Sequence, residues 1–81
     1  GEDHAIALGA FVRVIVHEKT AKQFFLLSAG GGTEVGIGNQ ETQVITPESA
    51  VGQALLGKKP GALFDLTINE KTVEYEIVSV S

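Results

Sequence analysis

The chain has 81 residues, of which 43% are hydrophobic and 20% are charged, so it has the size of one globular domain and is too apolar to be disordered. Its formal net charge of −4, from ten acidic and six basic side chains, argues against a domain whose main task is to neutralise nucleic-acid phosphates. The sequence contains no cysteine, which excludes disulfide bonds and thiolate zinc sites. Neither a signal peptide nor an apolar run near the ~20 residues that span a bilayer is visible, so we predict a cytoplasmic domain without a membrane segment.

The first third of the chain predicts a strand hairpin. Residues 1–9 are polar to mixed, and we interpret them as a lead-in or linker remnant before a domain at 10–81. Residues 10–17, AFVRVIVH, alternate valines with other side chains at a period of two, which predicts a strand with one apolar face. A second apolar run, QFFLLS at 23–28, follows a polar turn, and the two runs together predict the hairpin.

The middle of the chain is rich in glycine. Residues 29–40 hold five of the ten glycines, which predicts a loop with a brief strand at 33–37. A phosphate-binding loop would need a lysine and a hydroxyl residue directly after its last glycine, and that pattern does not occur here. We therefore interpret this segment as a flexible loop whose role stays open, followed by a third strand, ETQVIT, at 41–46.

The stretch ESAVGQALLGKKPG at 48–61 predicts a single short helix. Ser49 is the predicted N-cap, because its oxygen can accept a hydrogen bond from a free backbone N–H of the first turn. Gly57 fits the left-handed position just past the end of a helix. The lysines that follow are explained as charges near the negative end of the helix dipole. One apolar stripe is predicted to face a sheet, formed by Val51, Ala54 and Leu55.

Two more strands are predicted at the end of the chain. They are ALFDLTI at 62–68 and TVEYEIVSV at 72–80, with a turn at 69–71. In the last strand, alternation predicts Val73, Tyr75 and Ile77 on one face. The other face is predicted to carry Glu74, Glu76, Val78 and Val80. Several antiparallel strands and one helix predict an α+β domain in which the helix covers one face of the sheet.

Few residues offer catalytic or metal-binding chemistry. The candidates are His4, His17, Glu74 and Glu76, and neither histidine has a partner at ligand spacing, so we assign all of them structural roles. The aromatic residues fall in predicted strands with Arg13 as the one basic residue among them, which favours core packing over the stacking of nucleic-acid bases. We predict no cofactor and no metal.

The C-terminal half resembles a known family. The string VITPESAVGQALLGKKPGALFDLTI at 44–68, followed by VEYEIVSV, is similar to the C-terminal domain of the GreA/GreB transcript-cleavage factors over residues 42–80. In that family an acidic residue, a serine and a proline open the helix, which ends in Ala-Leu-Leu-Gly-Lys. Here Ala50 stands where the proline is usual, and Gln53 stands where a basic residue is usual.

The resemblance implies an FKBP-like fold, a curved antiparallel sheet with one short helix packed across it. It also implies a monomeric, non-catalytic module that docks on the coiled-coil rim of the secondary channel of bacterial RNA polymerase and does not itself bind nucleic acid. The cleavage chemistry would belong to the polymerase together with an N-terminal coiled coil that this sequence lacks. By the same resemblance, the residues that contact the polymerase are Pro47, Glu48, Ser49, Ala50, Val51 and Gln53.

Two alternative functions stay open at this point. An FKBP-like fold raises the possibility of a prolyl isomerase, but active members use an aromatic pocket commonly floored by tryptophan, and this chain has no Trp and one Tyr. The other alternative is a structural module that self-associates through the glycine loop or an edge strand. Whether the parent protein promotes or inhibits transcript cleavage is left open as well.

Overall fold

A computed structural model of the chain describes residues 5–37 and 40–81. Strands and helix follow one another as β1 (Phe11–Val16), β2 (Thr20–Leu26), β3 (Glu34–Ile37), β4 (Gln40–Ile45), α1 (Ala50–Leu55), β5 (Leu63–Ile68) and β6 (Lys71–Val80). Each predicted element is present, with ends that agree or differ by at most three residues. The predicted α+β class, one sheet with one short helix, is confirmed.

The six strands form one sheet in the order β3-β4-β2-β1-β6-β5. Four neighbouring pairs are antiparallel, but β2 and β4 run parallel, with Gln23 opposite Thr42 and Leu26 opposite Ile45. The sheet is therefore mixed, which differs from the antiparallel sheet expected from the sequence. After β2 the chain crosses to the edge of the sheet, where it forms β3. It then turns back and forms β4 between β3 and β2. Alternation of side chains sets which face of a strand is buried, not which strand lies beside it.

The first hairpin forms as predicted, with β1 and β2 antiparallel along their length. Its turn contains His17 and Glu18 with φ values of 53° and 61°, and the Lys19 N–H donates to the Val16 carbonyl at 3.1 Å. This pattern of two positive φ values is that of a type I′ turn, whose twist suits a hairpin. The predicted apolar face of β1 is buried against the core and consists of Val12, Val14 and Val16.

A β-bulge changes the faces of the last strand. Val14 of β1 lies opposite Ile77, and Arg13 lies opposite Ser79, so the register between β1 and β6 skips Val78. As a result Ile77 and Val80 both point into the core, with 0% and 7% of their surface exposed, while Val78 is 48% exposed. The prediction that Val80 shares a face with Glu74, Glu76 and Val78 is therefore wrong. Strict alternation holds only up to the bulge.

The hydrophobic core lies where α1 covers the sheet. Its buried members include Leu55 from the helix, at 0% exposure, and Ile6 from the segment before β1, at 2%. Ile6 is also tied to the end of the helix, because its N–H donates to the Lys58 carbonyl and its carbonyl accepts from the Gly57 N–H, both at 2.8 Å. Residues 5–9, which the sequence assigned to a lead-in, are thus held against the domain by side-chain burial and backbone hydrogen bonds.

Candidate functional site at the start of the helix

The residues before α1 form a hydrogen-bonded turn that leads directly into the helix. The carbonyl of Thr46 accepts from the backbone N–H of Ser49 at 3.0 Å and from the Ser49 hydroxyl at 2.8 Å. The Ser49 Oγ in turn accepts from the Gly52 N–H at 3.0 Å. Ser49 is therefore the N-cap, as predicted, with an extended backbone at φ −73° and ψ 157°. We refer to residues 46–53 as the helix-start segment.

Gly52 is the tightest point of the helix-start segment. A Cβ built on it would lie 1.9 Å from the Thr46 carbonyl oxygen and 2.9 Å from the Ser49 Oγ, so only glycine fits here. Gly52 lies within the string that resembles the family, but its sequence pattern indicated no role for it. A signal was present, however. A glycine inside a six-residue helix costs ~1 kcal/mol relative to alanine, and a glycine kept at such a position usually has a packing reason.

The predicted contact residues are brought together in this segment, but they differ in exposure. Glu48, Ala50 and Gln53 are exposed, and the Gln53 Nε2 donates to the Glu48 carbonyl at 3.4 Å. Pro47 is half-buried. The other two predicted residues serve the fold as well, because the Ser49 hydroxyl is used within the cap and Val51 packs against the core. The outward surface of the segment is therefore formed by Glu48, Ala50 and Gln53.

The glycine-rich loop lies next to the same segment. A Cβ on Gly31 would lie 3.1 Å from the Thr46 Cγ2. The loop is held there by backbone hydrogen bonds, from the Gly32 N–H to the Val44 carbonyl at 3.0 Å and from the Val44 N–H to the Thr33 carbonyl at 2.7 Å. The brief strand predicted at 33–37 is present as β3, whereas Gly38 lies outside the described residues.

The far end of the helix is explained by packing. Gly57 has φ 84°, the left-handed conformation predicted for it. The Nζ of Lys58 lies 4.8 Å from the centre of the Phe64 ring, which in turn stacks on Tyr75 with ring centres 5.4 Å apart. A cation above an aromatic ring is attracted by the ring quadrupole, so the Lys58 side chain stabilises this end of the helix. Burial raises the pKa of the Tyr75 phenol.

The other candidates from the sequence do not converge on a site. His17 lies in the turn between β1 and β2, and His4 falls outside the described residues. Glu74 lies on β6 opposite Asp65 of β5, and within residues 5–37 and 40–81 no group of three His, Asp or Glu side chains is placed to hold a metal ion. Among these residues there is also no helix long and apolar enough to cross a membrane.

Comparison with known proteins points to one family. The family model described as "Transcription elongation factor, GreA/GreB, C-term" matches residues 2–81. The transcription elongation factor GreA of Thermodesulfovibrio yellowstonii is 36% identical over 77 residues, which cover 94% of this chain and 45% of that protein. The match thus extends from the helix region, where the sequence first suggested it, over nearly the whole chain.

Solved structures share the fold. Gfh1 of Thermus aquaticus superposes with a TM-score of 0.72 at 21% identity, covering 99% of this chain and 50% of that one. The GreA/GreB elongation factor from Nitrosomonas europaea gives a TM-score of 0.65 at 20% identity, covering 94% of this chain and 59% of that one. The chain spans about half the length of these relatives.

Proposed function

Because the chain belongs to the C-terminal family of the GreA/GreB transcription elongation factors, we propose that it is a polymerase-docking domain that binds the coiled-coil rim of the secondary channel of bacterial RNA polymerase. In this proposal the domain binds as a monomer and contacts protein rather than nucleic acid. Transcript cleavage belongs to the polymerase and to other parts of a full-length factor. The observation that carries the proposal is the family match over residues 2–81.

The proposed contact surface is the outward side of the helix-start segment. Glu48, Ala50 and Gln53 are exposed there on a backbone that internal hydrogen bonds hold in place. Such a preformed surface loses little conformational entropy on binding. Glu48 supplies one negative charge, and Ala50 and Gln53 supply small or neutral side chains, so we expect the facing surface of the partner to bring a basic group towards Glu48.

The test is a binding titration of the chain against bacterial RNA polymerase. The substitution Ala50→Arg puts a long charged side chain on the exposed surface and leaves the hydrogen bonds of the Ser49 cap intact. We expect it to weaken binding by about tenfold or more, the effect of losing one central contact of an interface. Ala50 is a better position for this test than Ser49, since changing Ser49 also removes the cap.

The matched control is Ala21→Arg, the same change at an exposed alanine of β2. It should bind like the parent chain. A polymerase whose rim coiled coil is deleted should not bind either chain, which tests the location of the contact. The proposal fails if the parent chain does not bind polymerase, or if both arginine variants bind equally well.

A further inference from the structure

Thr46 lies between glycines of two different elements. Its Cγ2 methyl is 3.1 Å from the place where a Cβ of Gly31 would be, and its carbonyl oxygen is 1.9 Å from the place of a Cβ of Gly52. Gly31 belongs to the glycine-rich loop and Gly52 to helix α1. Neither glycine has a positive φ, so backbone conformation does not call for glycine at either position. At Gly52 the Thr46 carbonyl leaves no room for a Cβ, whereas at Gly31 a Cβ would make a tight contact that Thr46 has to shift to relieve.

The position of Thr46 determines where the helix begins. Its carbonyl is the acceptor for both the N–H and the hydroxyl of Ser49, and Ser49 caps the helix through the Gly52 N–H. A displacement of Thr46 is therefore passed through Ser49 to the first turn of α1, which carries the exposed Ala50 and Gln53. Glu48 lies between Thr46 and the cap and has to move with them.

We propose that Gly31 and Gly52 are positioning residues of the docking surface. They give Thr46 the space that fixes the start of α1 and, with it, the arrangement of Glu48, Ala50 and Gln53. This inference rests on the proposed function and adds two residues, one of them in the glycine-rich loop, that the sequence did not connect with binding. Neither residue needs to touch the partner.

The first experiment compares alanine at two exposed glycines. Gly31→Ala brings a methyl group against Thr46, whereas Gly36→Ala has nothing within 4 Å and serves as the control. Both changes replace glycine by alanine, so they should lower the conformational entropy of the unfolded chain by the same amount. We expect Gly31→Ala to weaken polymerase binding by about threefold to tenfold, a fraction of what a direct contact costs, and Gly36→Ala to leave it unchanged.

A rescue separates positioning from contact with the partner. Thr46→Ser removes the Cγ2 methyl that the new side chain of Gly31→Ala would meet, so the double variant should regain the affinity of Thr46→Ser alone. The same rescue should fail for Gly52→Ala, whose methyl meets the backbone carbonyl of residue 46. We expect Gly52→Ala to lose at least about tenfold in affinity.

Amide NMR spectra of each variant provide a readout that does not depend on binding. In Gly31→Ala, changes in amide chemical shift that are concentrated at residues 46–53 and reversed by Thr46→Ser support the inference. The absence of such changes overturns it. Equal polymerase affinity of Gly31→Ala and Gly36→Ala also overturns it. If the parent chain does not bind polymerase, the proposed function fails, and the NMR comparison alone decides whether the glycines position the segment. If Gly52→Ala unfolds, the Gly31 variants carry the test.

Discussion

At the scale of single residues, the turn between β5 and β6 places a glutamate where the backbone favours glycine. Ile68 lies opposite Lys71, so the turn has two central residues, Asn69 and Glu70, with φ values of 52° and 67°. This is the type I′ geometry, in which asparagine followed by glycine is the preferred pair. Asparagine tolerates the left-handed region, whereas glutamate carries a steric cost there.

We therefore predict that Glu70→Gly stabilises the domain by about 0.5–1 kcal/mol, after the greater flexibility of glycine in the unfolded chain is subtracted. The measurement is urea unfolding followed by circular dichroism. Asn69→Gly at the neighbouring position is the control and should change the free energy of unfolding much less. An unchanged or lower stability of Glu70→Gly would show that this backbone is not strained.

At the scale of elements, helix α1 is attached to the sheet mainly through one of two adjacent leucines. Leu55 is fully buried, whereas Leu56, the next residue, is 46% exposed. We predict that Leu55→Ala destabilises the domain by about 2–5 kcal/mol, since it removes buried methyl groups and leaves a cavity. Leu56→Ala should cost at most about 0.5 kcal/mol, because surface changes rarely exceed that. Similar losses for the two variants, measured by urea unfolding, would contradict this difference in burial between the two leucines.

The helix was predictable from sequence because its signals are local. Ser49 caps the first turn and Gly57 takes the left-handed position after the last, and both effects depend on residues within a few positions. The candidate site was suggested by the family string and stays a prediction. Its outward surface could not be read from sequence, because exposure depends on how α1 sits on the sheet. Gly52 was missed for the same reason, since its close neighbour is a carbonyl six positions away.

The sheet was predictable in its strands but not in their neighbours. Period-two patterns identified the strands, yet the parallel pairing of β2 with β4 joins segments separated by the glycine-rich loop. One consequence is a buried polar pair, in which the Thr42 Oγ1 donates to the Gln23 Oε1 at 3.0 Å. Because both side chains are polar, each residue taken alone would be assigned to the solvent-facing side of its strand. The pairing of the two strands brings these two groups within hydrogen-bond distance of each other, away from water.

At the scale of the whole molecule, stability should depend on alkaline pH through the single tyrosine. Burial raises the pKa of Tyr75 above its ordinary value of 10.0, so the folded chain holds the phenol proton more tightly than the unfolded chain does. The contribution of the Tyr75 phenol to stability is complete when the pH is below the pKa of the phenol in the unfolded chain. It is lost as the pH rises from that value through the pKa of the phenol in the folded chain.

The substitution Tyr75→Phe keeps the aromatic ring and removes the titrating group. We predict that the free energy of unfolding of the parent chain falls more steeply than that of Tyr75→Phe above about pH 10. The free energies of unfolding of the two chains are compared by circular dichroism during urea unfolding, from about pH 8 to about pH 11. Parallel curves would mean that the phenol has the same proton affinity in both states.

The position of β1 between β2 and β6 has a consequence for how the domain is made. A ribosome releases the N-terminal part of a chain first, so β1 and β2 emerge early and can pair as a hairpin. The other side of β1 must wait for the ten residues of β6, the last strand in chain order. Until then the valines of β1 lack the part of the core that β6 supplies, and a two-stranded hairpin is at best marginally stable. We therefore expect this domain to fold once β6 has emerged from the ribosome, and a nascent chain stalled before Lys71 should remain accessible to chaperones.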